Sequence, residues 1–146
     1  MTEEIIVAMT RNEGFTLIEV LVALTILSIG VLGVAGMQLT GLQDTNTAES
    51  TQEASWLAQD AIGRMEANLP AAKAGAYDVA LGQAASGSGF AQQDVTQWEA
   101  NIASQLPAGE GSIQYNAATG IATILIQWGA NASANNGNQF QYSAQL

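Results

Sequence analysis

Gly14-Phe15-Thr16-Leu17-Ile18-Glu19-Val20-Leu21-Val22-Ala23-Leu24 opens a stretch in which no charged residue follows Glu19 until Asp44. Phe15 to Met37 is almost continuously apolar, and a helix of about 20 such residues spans the hydrocarbon core of a bilayer. Leu17, Val20, Leu21, Leu24, Leu27, Val31 and Leu32 cover every side of a helical wheel, so no polar face is left for water. The run is too long for so small a chain to enclose as a buried core helix. A cleaved secretory signal fits no better, because such a signal has a basic start and a small-x-small cleavage site after its apolar part. Here Gly14 precedes the apolar part, which is expected to be retained.

Glu19 is the exception within this segment. A carboxylate inside lipid costs several kcal/mol unless it is paired or protonated, and such residues usually have a function. Two readings fit its place. A cut after Gly14 would leave Phe15 with a free ammonium, and Glu19 would meet that group on a neighbouring subunit in a packed bundle. Alternatively, Glu19 reaches the interface from the helix start, where the dipole also favours an anion.

The stretch Gly14 to Leu24 resembles the class III signal of type IV pilins and type II secretion pseudopilins. The resemblance implies that prepilin peptidase cuts after Gly14 and methylates Phe15, and that Glu19 is the assembly carboxylate. Leaders of that family are short and basic, whereas this one has Glu3, Glu4 and Glu13 against Arg11. A start at Met9 would give a leader, Met9 to Gly14, of more usual length. Many pilins carry a kinking proline in this helix, and here Gly36 stands in that place, within Gly30-x-x-Gly33-x-x-Gly36. Each glycine weakens a helix by up to ~1 kcal/mol against alanine. The three either let the helix stretch locally or let helices pack closely.

The helical pattern continues beyond Met37. Ala54, Leu57, Ala58, Ala61, Ile62, Met65 and Leu69 recur at i, i+3, i+4 spacing and form one apolar stripe, ended by Pro70. As a single helix, Phe15 to Leu69 would measure about 80 Å. Asp60 and Arg64 are spaced to pair on the exposed face, worth a few tenths of a kcal/mol. Residues 57–68 resemble a segment typical of minor pilins of the PilV type.

Residues 71–93 offer few large apolar anchors, and Ala84 to Gly89 reads as a loop. Asp94 with Gln97 suggests a capping box, opening a short helix with Trp98, Ile102 and Leu106 on one face and Pro107 at its end. Trp98 is expected to be a core anchor. After the Gly109-Glu110-Gly111 turn, Ile113 and Tyr115 alternate with polar neighbours. Asn116 to Gly120 signals a turn, and Ala122, Ile124, Ile126 and Trp128 share one face of a second strand. Asn131 to Asn138 reads as a polar loop. Phe140, Tyr142, Ala144 and Leu146 then alternate with Gln139, Gln141, Ser143 and Gln145 in a third strand. The expected fold class is α+β: a long N-terminal helix whose second half packs on a small antiparallel sheet of three strands, with the other sheet face wet. Asp94, Trp98, Leu106-Pro107-Ala108-Gly109 and a strand ending in Trp128 also follow the order seen in PilV-type pilins. Gly129 departs from it, since an acidic residue commonly follows that tryptophan. The expected organisation is a leader at 1–14, a transmembrane and assembly helix at 15–37, an amphipathic second half at 38–69 and a periplasmic α+β domain at 70–146.

The formal net charge is −10, and the only cations are Arg11, Arg64 and Lys73. Nucleic-acid binding needs clustered Lys and Arg, which excludes that class. The chain has no Cys and no His, which removes thiol nucleophiles, imidazole bases and disulfides together. Asp44, Glu49, Glu53, Asp60 and Glu66 lie along one helix rather than in a pocket, so no catalytic residue, metal site or cofactor is expected.

The resemblance therefore implies a structural subunit and not an enzyme: a minor pilin of the PilV type that helps to prime type IV pilus assembly at the filament tip, supporting adhesion and twitching motility. Its implied partners are prepilin peptidase, other minor pilins, the major pilin and a tip adhesin, with inner-membrane lipid around it before assembly. The implied location is the bacterial inner membrane, crossed once with the N-terminus cytoplasmic, and then the pilus. The runner-up is a GspI-like minor pseudopilin of a type II secretion system. A displayed binding module using the loop Asn131 to Asn138 is a third class.

Overall fold

The computed structural model describes residues 14–129 and 137–146. In chain order these form helices α1 (Leu17–Ala67), α2 (Leu69–Lys73) and α3 (Phe90–Gln105), then strands β1 (Glu110–Asn116), β2 (Ile121–Trp128) and β3 (Asn138–Gln145). The chain divides into two compact units, Met1–Gln43 and Asp44–Leu146. The leader up to Glu13 and most of the Asn131 to Asn138 loop lie outside the described residues.

In the first unit, every described residue is exposed. The part of α1 that it contributes is long and apolar enough to cross a membrane. Its few hydroxyls bond within the helix: Thr25 to the Leu21 carbonyl at 2.8 Å, Ser28 to Leu24 at 2.7 Å and Thr40 to Gly36 at 3.2 Å. Internal satisfaction of this kind is what a polar group needs in hydrocarbon.

The second unit is built on the apolar stripe of α1. Ala54, Leu57, Ala58, Ala61, Ile62 and Met65 are buried, in one cluster with Trp98 and Ile102 of α3, Ile113 of β1, and Ala122, Ile124, Ile126 and Trp128 of β2. Burying a side chain the size of Ile or Met contributes about 1.5–3 kcal/mol. The sheet runs β1-β2-β3 and is antiparallel throughout. The expected three strands and the shared face of β2 are therefore present. Asn116 makes the β1–β2 turn, its Oδ1 accepting from the Ala118 N–H at 3.0 Å, and Gly120 takes a positive φ of 70°.

Four local expectations are corrected. Pro70 does not simply end the first helix. α1 stops at Ala67, and Pro70 lies in the first turn of α2, where its missing N–H costs nothing. Asp94 does not cap α3. The helix starts a turn earlier, after Gly89 at φ 88°, because Ala91 and Val95 carry the buried stripe of Trp98 and Ile102 back in that direction. Burial outweighs the local capping preference.

The stretch 71–93 does supply anchors: Tyr77 is 1% exposed and Val79 5%. Val79 exchanges both backbone hydrogen bonds with Ile113, at 2.9 and 3.0 Å. The second sheet face is not wholly wet, since Ser112 and Gln127 are buried there. In β3, Phe140 and Ala144 are only half-buried, as is Leu146 just beyond its end, and Tyr142 is exposed, as suits an edge strand.

Two approaches fix how α3 meets β1. A Cβ on Gly111 would collide with the Trp98 ring and come within 2.6 Å of Ile102 Cδ1. One on Gly109 would come within 2.7 Å of Ile102 Cγ2. Between α3 and β1, Leu106-Pro107-Ala108-Gly109 forms a turn closed by Gly109 N–H to the Leu106 carbonyl at 3.1 Å. Proline second and positive φ third are type II features, yet the third residue is Ala108, at φ 50°. Glycine is reserved for position 109, where space and not φ demands it.

Candidate functional site

The segment around Glu19 begins with Gly14 and Phe15, both exposed and outside the helix. Phe15 is 82% exposed. Thr16 precedes the first helical residue, and its Oγ1 accepts from the Glu19 N–H at 3.3 Å. Thr16 and Glu19 thus occupy the outer positions of a Thr-x-x-Glu capping pattern. Sequence reasoning missed this role of Thr16, although the pattern ahead of an apolar run is its direct signal.

Glu19 lies in the first turn of α1, where the unpaired N–H groups and the helix dipole favour an anion. Around it, Phe15, Val20, Ala23, Leu24 and Leu27 line one shallow apolar face. The arrangement leaves one carboxylate on an apolar surface, stabilised by its helix end and lacking a cation within the unit's described residues. Gly30, Gly33 and Gly36 continue the helix without a break, and a methyl at any of them would meet nothing within 4 Å. Among the described residues nothing calls for glycine at these three places.

Residues 9–35 match the family model described as the prokaryotic N-terminal methylation motif. The N-terminus carries a prepilin-type signal. The match covers Gly14, Phe15, Glu19, Gly30 and Gly33 and ends just before Gly36. It supports a structural subunit of the pilin and pseudopilin kind that prepilin peptidase processes, with its apolar helix as a membrane anchor. No curated protein and no solved structure matches the chain.

In the second unit, the expected pair of Asp60 and Arg64 is made at 2.8 Å. Arg64 also reaches Asp94, whose Oδ1 lies 3.6 Å from Nη1. Tyr77 donates its hydroxyl hydrogen to Asp94 Oδ2 at 2.8 Å. These contacts tie α1, the stretch after α2 and α3 together. Burial, and then the hydrogen bond to Asp94, push the Tyr77 phenol above its ordinary value of 10.0, so the group stays a donor. Burial likewise raises the Glu99 carboxyl, partly offset by a hydrogen bond from the Ala85 backbone. Among the described residues no three Asp or Glu gather closely enough to hold a metal ion. Trp98 is a core residue, as expected, with 0% exposure.

Proposed function

We propose that this chain is a minor pilin of the PilV type, cut after Gly14 by prepilin peptidase and methylated at Phe15. It waits in the inner membrane with its C-terminal domain in the periplasm. It then joins other minor pilins and the major pilin in priming a type IV pilus, at a tip that also holds an adhesin. Adhesion and twitching motility depend on that step.

The observation that carries this reading is the single carboxylate of Glu19 at the head of a helix that, from there as far as Asp44, is otherwise charge-free and exposed at every residue. A cut after Gly14 creates an ammonium at Phe15. In hydrocarbon each charge alone is costly, and pairing them between subunits offsets much of that cost. The carboxylate therefore favours the assembled state over the lone subunit. Gly30, Gly33 and Gly36 either let the helix lengthen locally within the filament or let neighbours approach closely.

The test is deletion of the gene, scored for surface pili and twitching on one hand and for export of secreted enzymes on the other. Loss of pili with intact export supports the PilV-type reading. Intact pili with failed export would replace it by the GspI-like pseudopilin reading.

A further inference from the structure

The two edges of the sheet are treated differently. On the β1 edge, Ile113 exchanges both backbone bonds with Val79, and the Tyr115 N–H donates to Asp78 Oδ1 at 2.9 Å. On the other side, the Leu146 N–H donates to the Gly120 carbonyl at 2.9 Å. With the register Ile124↔Tyr142 and Ile126↔Phe140, this phase turns the backbone groups of Phe140, Tyr142 and Ala144 toward β2. Those of Gln139, Gln141, Ser143 and Gln145 consequently point away from the sheet. Among the described residues nothing pairs with them.

Exposed edges are normally blunted by charge, proline or a bulge. β3 has no charged residue and no proline, and its pairing with β2 is continuous. Beside it, Asp44, Ala48, Thr51 and Ser55 of α1 form a groove with Phe140 as its sheet-side wall. The half-buried face of β3 thus continues into a space that one more strand would cover.

We propose that the outer edge of β3 receives an extended strand from a different polypeptide, one that alternates apolar with basic residues. Its backbone bonds to Gln139, Gln141, Ser143 and Gln145, and its apolar side chains lie beside Phe140 over the groove. Charge selects the partner. Residues 15–146 hold ten Asp or Glu against Arg64 and Lys73, Asp44 stands in the groove, and Arg64 is already held by Asp60 and Asp94. A second copy would bring the same acidic excess, whereas a basic strand is attracted. The inference is independent of which filament the chain serves.

The test is amide hydrogen exchange on the full mature chain in phosphatidylcholine nanodiscs, with a short synthetic peptide alternating valine and lysine as the probe. The amides of Gln139, Gln141, Ser143 and Gln145 are expected to exchange fast in the free chain and to slow at least about tenfold with the peptide. The same peptide N-methylated at alternate residues, or with glutamate for lysine, is expected to bind at least about tenfold more weakly. Gln141→Pro removes an outward N–H without touching the β2 ladder, and is expected to weaken peptide binding at an unchanged melting temperature. Should that variant fail to fold, the N-methylated peptide still decides. Protection of the four amides in the free chain, protection that grows with protein concentration alone, or equal binding of the control peptides would overturn the proposal.

Discussion

The indole N–H of Trp98 donates to the backbone carbonyl of Leu57 at 2.8 Å, joining α3 to α1 through a ring with 0% exposure. Trp98→Phe removes that hydrogen bond and leaves unfilled volume at the centre of the core. A loss of about 2–3 kcal/mol is expected, measured by urea unfolding followed by circular dichroism in detergent. A loss under half of that would mean that the ring is replaceable.

Gly111 lets the same ring lie on the backbone of β1. Gly111→Ala drives a methyl into Trp98 and Ile102, and overpacking of this kind costs about 1–3 kcal/mol. Combining it with Trp98→Phe is expected to cost less than the sum of the two, because both changes act on one contact. Strict additivity in the double-mutant cycle would contradict the geometry.

Ala108 takes a positive φ that alanine disfavours. Ala108→Gly relieves this strain and is expected to leave stability unchanged or raise it by up to ~1 kcal/mol. Gly109→Ala, one residue on, is expected to be destabilising, since its Cβ would meet Ile102 and Leu106. A thermal melt of the two variants side by side checks the contrast.

Glu99 holds its proton more tightly when folded, chiefly through burial. The native state then binds more protons than the unfolded chain over the interval just above 4.5, so this group's contribution falls as pH rises through it. Glu99→Gln is expected to stabilise the domain at neutral pH and to make no difference well below 4.5. A gain that persists unchanged in acid would point to packing instead of ionisation.

At the N-terminus, Gly14→Val is expected to leave an uncut precursor in the inner membrane, visible as a slower band on a denaturing gel. Glu19→Ala is expected to permit the cut while lowering incorporation into sheared filaments. Normal incorporation would rule out the pairing of Glu19 with a neighbouring ammonium.

The strongest patterns in the sequence were those where one element carries its own signal. The charge-free run after Glu19, the stripe from Ala54 to Met65 and the alternation in β2 each follow from a single periodicity. Asp94 misled because its capping signal is local, whereas Ala91 and Val95 extend α3 through burial that only the assembled core supplies. Tyr77 and Val79 stood among alanines and glycines, and their anchoring partners lie far along the chain at Asp94 and Ile113. Gly111 gave no sign either, since the ring that excludes a side chain there belongs to another element. Thr16 was legible: a Thr-x-x-Glu pattern ahead of an apolar run marks a helix start.

The stripe on α1 also bears on how the protein is made. Three of its six buried residues are alanines (Ala54, Ala58 and Ala61), and every element that covers them is synthesised later. As the chain leaves the ribosome, that surface must stay open until α3 and the strands arrive. Alanine offers little for chaperones or stray hydrophobic segments to hold during the delay. A stripe of leucines would be far stickier while it waited, and it would overpack a core that closes on these alanines.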